Sequence, residues 1–95
     1  MDSKNEYLKV NTILSKWNPI GVPDYIANDE YSSYVKRLSR FKNDFLGLVN
    51  SLEYILTEEI ELNYDFFDNL DDKKEVLYYA YKIYEVINKE TQASN

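Results

Sequence analysis

The sequence predicts an all-α fold, a compact array of about four helices forming one domain over residues 1–95. Three observations carry that expectation. Gly and Pro number two each, and a sandwich or barrel needs more turn chemistry than that. Apolar residues recur at helical spacing in stretches separated by cap and turn residues. The 95 residues, 44% hydrophobic and 29% charged, match a globular chain with one core, since a domain takes roughly 100–200 residues.

The first helix is placed at about 4–17. Tyr7, Val10, Leu14 and Trp17 follow one another by three or four residues, with Ile13 widening the stripe. Ser3 and Glu6 have the spacing of a capping box, in which each side chain satisfies an orphan backbone N–H. Asn18-Pro19 ends the helix because proline excludes the helical region at the residue before it, and Gly21 and Pro23 keep the chain irregular through Ala27. This connection is apolar, so Ile20, Val22, Tyr25 and Ile26 are expected to pack down onto the helices.

The second helix is placed at 29–42. Asn28 or Asp29 supplies the cap, Asp29 and Glu30 suit the positive end of the helix dipole, and Tyr31, Tyr34, Val35, Leu38 and Phe41 form the apolar stripe. Lys36, Arg37, Arg40 and Lys42 gather toward its C-terminal end, where four cations could touch phosphate, though compensating the dipole and pairing with the abundant acids is the simpler reading. Asp44 caps a third helix, 44–60, carrying Phe45, Leu48, Leu52, Ile55 and Leu56. From Ile60 to Leu70 the pattern blurs. A lone strand there would have no partner, so the stretch is read as a loop anchored by its aromatic residues. Asp71 or Asp72 caps the last helix, 72–89, whose stripe is Val76, Ala80, Ile83 and Ile87, widened by Leu77 and Tyr84. Residues 90–95 read as a frayed tail.

Composition narrows the chemistry. Cysteine and histidine are absent, which removes disulfides, thiol catalysis, the common zinc sites and an imidazole base. Seventeen acidic against eleven basic residues give a formal charge of -6. That balance disfavours nucleic acid, whose phosphates require clustered cations, and favours a basic protein surface. The start MDSKNEYLKV has no basic segment followed by an apolar one, and no apolar run reaches the roughly 18–20 residues of a membrane span, so a cytoplasmic protein is expected. Asp68, Asp71, Asp72 and Glu75 lack the glycine and spacing of a calcium loop, so neither metal nor cofactor is assigned. Glycoside hydrolysis by paired carboxylates would need a cleft for which the chain is small.

Two features remain as candidate contact surfaces. Eight carboxylates lie from Glu53 to Asp72 with no Lys or Arg among them. Such a strip is either a solvated helix end with its caps or a surface complementary to a basic partner. Ten tyrosines are present. Tyr78, Tyr79, Tyr81 and Tyr84 point in several directions around one helix, so at least one is exposed, and Tyr serves boundary packing and binding equally well. The contact residues assigned on this basis are Glu58, Glu59, Glu61, Tyr64, Asp65 and Asp68.

The run Ile13-Leu14-Ser15-Lys16-Trp17-Asn18-Pro19-Ile20-Gly21-Val22, followed by Asp29-Glu30-Tyr31-Ser32-Ser33-Tyr34, resembles the YugE-like domain of unknown function, a family of small bacterial helical proteins. The resemblance covers Ile13 to about Tyr34, with Asn18 where Asp is commoner and no counterpart for Asn63 to Asp72. It implies about four helices and no catalytic residues. Similar W-[DN]-P-[IL]-G-V proteins look like some immunity proteins encoded beside secreted bacterial toxins. The resulting expectation is a non-catalytic immunity protein, a monomer or weak dimer, that occludes the active site of a basic toxin such as a nuclease. The alternative is a small regulatory or housekeeping helical protein that self-associates. Trp17 is expected to sit in the core, with Asn18 or Asp29 as a cap and Pro19 to Val22 folded back over the helices.

Overall fold

The computed structural model describes the backbone of residues 3–93 and the side chains of residues 4–88 apart from Asn28. Four helices follow in order, α1 (Ser3–Trp17), α2 (Asp24–Leu38), α3 (Phe45–Tyr54) and α4 (Leu70–Ala93), and no strand occurs among the described residues. The expected all-α class is what the chain adopts. α3 runs on into a π-helical turn, Ile55–Glu59. α1 packs against α2 and α4, and α3 packs mainly against α4. At 24 residues α4 is the longest helix, about 36 Å at 1.5 Å per residue, and the molecule measures 41 × 30 × 18 Å.

The core is the meeting of the expected stripes. Val10 and Leu14 of α1, Tyr31, Val35 and Leu38 of α2, Leu48 and Leu52 of α3, and Val76, Ala80, Ile83 and Ile87 of α4 are all buried. Tyr31, 2% exposed, is the aromatic residue at the centre. Trp17, expected there, lies at the edge: it is half-buried and stacks on Tyr79 with ring centroids 4.4 Å apart. An indole N–H needs an acceptor when it leaves water, and Glu75 Oε2 accepts from Trp17 Nε1 at 2.6 Å.

Helix ends differ from the sequence reading for local reasons. Of the two expected caps Asn18 serves, at the C-terminal end of α1: it closes the helix in the left-handed region at φ 49, with its N–H donating to Leu14 O at 2.8 Å, a conformation Asn tolerates better than most residues. Its side chain then clasps the following loop. Nδ2 donates to Val22 O at 2.7 Å, while Oδ1 accepts from Val22 N at 3.1 Å and from the Tyr31 hydroxyl at 2.8 Å. The same hydroxyl accepts from Ile20 N at 2.9 Å. Ile20 and Val22 pack down as expected, but Tyr25 is 86% exposed.

Tyr25 projects outward because α2 starts five residues earlier than expected, at Asp24 after Pro23. Proline leaves no donor unsatisfied at a helix start. Asp29 is therefore interior to α2 rather than its cap, and Ala27 joins the buried stripe. α2 also stops at Leu38, not at 42. Asp44 caps α3 as expected, accepting from Gly47 N at 2.9 Å. α4 is capped by Asn69 Oδ1, which accepts from Asp72 N at 3.1 Å, and not by Asp71 or Asp72; the helix continues to Ala93. The Ser3 half of the expected capping box and residues 94–95 of the expected tail lie outside what is described. Glu6 pairs with Lys42 Nζ at 3.1 Å.

Candidate functional site

The stretch assigned as a contact surface is built on an unusual helix end. Ile60 N donates to Ile55 O and Leu62 N to Leu56 O, each at 2.8 Å, so the last turn of α3 is wound wider than an α-helix. Such π-turns appear frequently at functional sites. Glu61 then turns the chain in the left-handed region at φ 61, which costs an ordinary L-residue about 1–2 kcal/mol. The reversal sends residues 62–69 back across α3 toward the start of α4.

That return segment is fastened at two places. The Tyr64 hydroxyl donates to Glu75 Oε2 at 2.5 Å, the oxygen that also holds Trp17, and the Tyr64 ring stacks on Phe66 at 5.2 Å. Burial raises the Tyr64 pKa, and donation to the Glu75 carboxylate raises it further. Asp65 makes the second fastening. Its Oδ1 accepts from Phe67 N and Asp68 N, each at 3.1 Å, while its own N–H donates to Asp72 Oδ2 at 2.9 Å. An Asp bonding its backbone two residues on fixes a turn without help from glycine.

The turn carries Phe67 at its apex, 99% exposed. A groove of about 380 Å³ runs beneath it, lined by Asn50, Glu53, Tyr54, Thr57, Glu58, Tyr64, Asp65, Phe66 and Phe67. On α3, Leu46, Asn50 and Tyr54 recur every four residues and are exposed, Leu46 at 75% and Tyr54 at 57%. An aromatic and apolar surface therefore extends from the turn along the outside of α3.

The six assigned residues have different occupations within this geometry. Glu58, Tyr64 and Asp65 line the groove together. Glu58, Glu61 and Asp68 are exposed and make no ion pair among the described residues. Glu59 pairs with Arg37 of α2, Nη1 donating to Oε1 at 3.1 Å, and the guanidinium holds this carboxyl below the usual carboxylate range. Tyr64 and Asp65 are fasteners as well as surface. Glu53, also on the strip, meets Lys73 Nζ at 2.5 Å. The strip is thus partly neutralised from α2 and α4.

Phe67 and Tyr54 are the residues that sequence reasoning missed. Phe66 and Phe67 are adjacent, and adjacent side chains in an extended or turning segment diverge. One of the two was bound to face outward.

Other groups weighed for chemistry are engaged or dispersed. Asp72 holds the turn and Glu75 holds Trp17 and Tyr64. No group of three or more potential metal ligands converges among the described residues, and no helix of theirs is long and apolar enough to cross a membrane. Comparison with family models, curated proteins and solved structures finds no match to this chain.

Proposed function

We propose that the chain is a non-catalytic protein-binding module of the immunity type, acting in the cytoplasm, which occludes a basic toxin domain such as a nuclease. The observation that carries this reading is Phe67, wholly exposed on a turn held by four hydrogen bonds and flanked by Tyr54 and by Glu58, Glu61 and Asp68, carboxylates in no ion pair among the described residues. An exposed aromatic ring on a hydrogen-bonded turn is presented at low ordering cost, and aromatic anchors dominate binding energies once a partner pocket receives them. The carboxylates around it steer a cationic partner and lose that influence as salt screens them. The absence of Cys and His and the engagement of Glu6, Glu59 and Glu75 in structural contacts support blocking rather than chemistry.

Association kinetics with the product of the adjacent reading frame test the proposal. Phe67→Ala should weaken binding by at least about thirtyfold through faster dissociation. Glu58→Lys with Asp68→Lys should slow association at low salt and leave dissociation nearly unchanged. An association rate indifferent to both salt and charge reversal would overturn the steering role; a complex indifferent to Phe67 would overturn the site.

A second reading rests on a different face. Leu70, Tyr78 and Tyr81 of α4 are 66%, 57% and 56% exposed, an apolar surface suited to self-association. Light scattering separates the two: a stable dimer dissociated by Tyr78→Ser with Tyr81→Ser supports this alternative.

A further inference from the structure

A separate groove of about 520 Å³ lies between the start of α1 and the end of α2, lined by Lys4, Glu6, Tyr7, Val35, Lys36, Ser39, Arg40 and Lys42. Its size is within the range of small-molecule sites, roughly 300–1,000 Å³. Its floor is apolar: Val35 is 1% exposed and Tyr7 is half-buried. Four cations and one carboxylate surround that floor, in a chain whose formal charge is -6.

Local stability does not account for these cations. Dipole compensation explains Lys36, in the last turn of α2. Arg40 lies beyond that helix, and Lys4 stands in the first turn of α1, at the positive end, where a cation is disfavoured. Nor, Lys42 apart, are they paired with acids among the described residues. Of the cluster on α2 and the residues after it, Arg37 is turned to Glu59 and Lys42 to Glu6. Lys4, Lys36 and Arg40 make no ion pair among the described residues. Because the positive end of α1 and the negative end of α2 meet here, the two dipoles offset each other, and the side chains set the field. Glu6 is the one carboxylate among the lining residues, and exposed charges beyond the groove are screened over about 8 Å at physiological ionic strength.

We propose that this groove binds a phosphomonoester of a small apolar or aromatic body. A phosphate carries close to two charges at neutral pH and presents three acceptor oxygens, a demand that three cations lining one groove can meet and a single carboxylate would leave unused. Arg40 supplies the planar fork suited to phosphate, Lys4 and Lys36 supply point charges, and the Ser39 hydroxyl supplies a neutral donor. The organic body lies on Tyr7 and Val35. Glu6 is withheld from repelling the ligand by its pairing with Lys42.

Calorimetry and amide NMR of the full chain with phenyl phosphate, adenosine monophosphate and inorganic phosphate test the site. At least one of the two esters should bind saturably, shifting Lys4, Tyr7, Lys36, Ser39 and Arg40, and inorganic phosphate should bind at least tenfold more weakly for want of a body. Lys36→Glu with Arg40→Glu should weaken that ester about a hundredfold, near tenfold for each charge-assisted contact. Both side chains are exposed, and circular dichroism should show an unchanged fold. Four results would overturn the proposal: no saturable binding of either ester at millimolar concentration, equal affinity for ester and inorganic phosphate, affinity unaffected by the double substitution, or tighter binding of a single-stranded oligonucleotide at the same residues.

Discussion

Replacing Glu75 by Ala removes one carboxylate that joins three segments of the chain. Its Oε2 accepts from Trp17 Nε1 at the end of α1 and from the Tyr64 hydroxyl in the return segment, at 2.6 and 2.5 Å, while its backbone belongs to α4. A hydrogen bond to a charged group contributes about 1.5–3 kcal/mol. Both donors are half-buried, so water recovers part of that on truncation, and a net loss of about 2–4 kcal/mol is expected. A chain of this length has a total stability of about 5–14 kcal/mol, so the loss is a large share. It corresponds to a fall in Tm of about 10–25 °C.

The assay is built into the molecule, since Trp17 is the one tryptophan and sits on the bond to be broken. Urea unfolding followed by its emission should show the lower midpoint with an unchanged slope, together with an altered native spectrum. Glu75→Gln, which keeps an acceptor but not its charge, should lose about half as much. A double-mutant cycle with Tyr64→Phe should return a coupling of about 1 kcal/mol or more. A loss for Glu75→Ala below about 0.5 kcal/mol, ordinary for a surface site, with native Trp17 emission unaltered, would refute the claim that this carboxylate fastens the fold.

Asn18→Ala should cost about 2–4 kcal/mol, because it deletes three side-chain hydrogen bonds and places Ala in the left-handed region, while Asn18→Gly should recover about 1 kcal/mol of that; chemical denaturation reads both. Glu61→Gly should raise stability by about 0.5–1 kcal/mol by relieving the φ of 61. A loss of stability there would show that the Glu61 side chain supports the turn. Tyr64 and Tyr31 both keep their protons to higher pH when folded than when unfolded. Their stabilisation is therefore complete below the unfolded value of about 10 and declines as pH rises toward the folded values. Melting scans above pH 10 should show that decline, and Tyr64→Phe should reduce its slope. Phe67→Ala should leave Tm unchanged, since the ring is 99% exposed.

The sequence located the acidic stretch but not its working parts. Glu58 and Asp68 read as exposed acids and are so. Glu59 and Glu53 read the same way, yet each meets a cation from another helix, Arg37 and Lys73. Such pairing over 22 and 20 residues leaves no local signature. Phe67 could not be separated from Phe66 by composition, since both are equally apolar; in the structure Phe66 falls in step with Leu62 and Tyr64 against the core and stacks on Tyr64, which leaves Phe67 outward on the Asp65 turn. The groove between α1 and α2 was legible only in part. The cations after Val35 form a visible run, but Lys4 joins them because α1 and α2 lie antiparallel, with the first turn of one beside the last turn of the other.

Taken alone, the sequence determined the all-α class, the four stripes and the Asp44 cap, because helical periodicity and caps are properties of neighbouring residues and act before any long-range contact forms. It also determined that no imidazole or thiol chemistry is available. Tertiary structure decided where the aromatics sit: Tyr31 is buried in the core, and Trp17 lies at the edge, where Glu75 of α4 receives its indole N–H. That placing depends on which donors and acceptors find partners across the fold, and the matching is settled only when the helices pack together. The start of α2 at Asp24 and the Asn69 cap of α4 are instead choices among neighbouring candidates that the helical stripe does not rank.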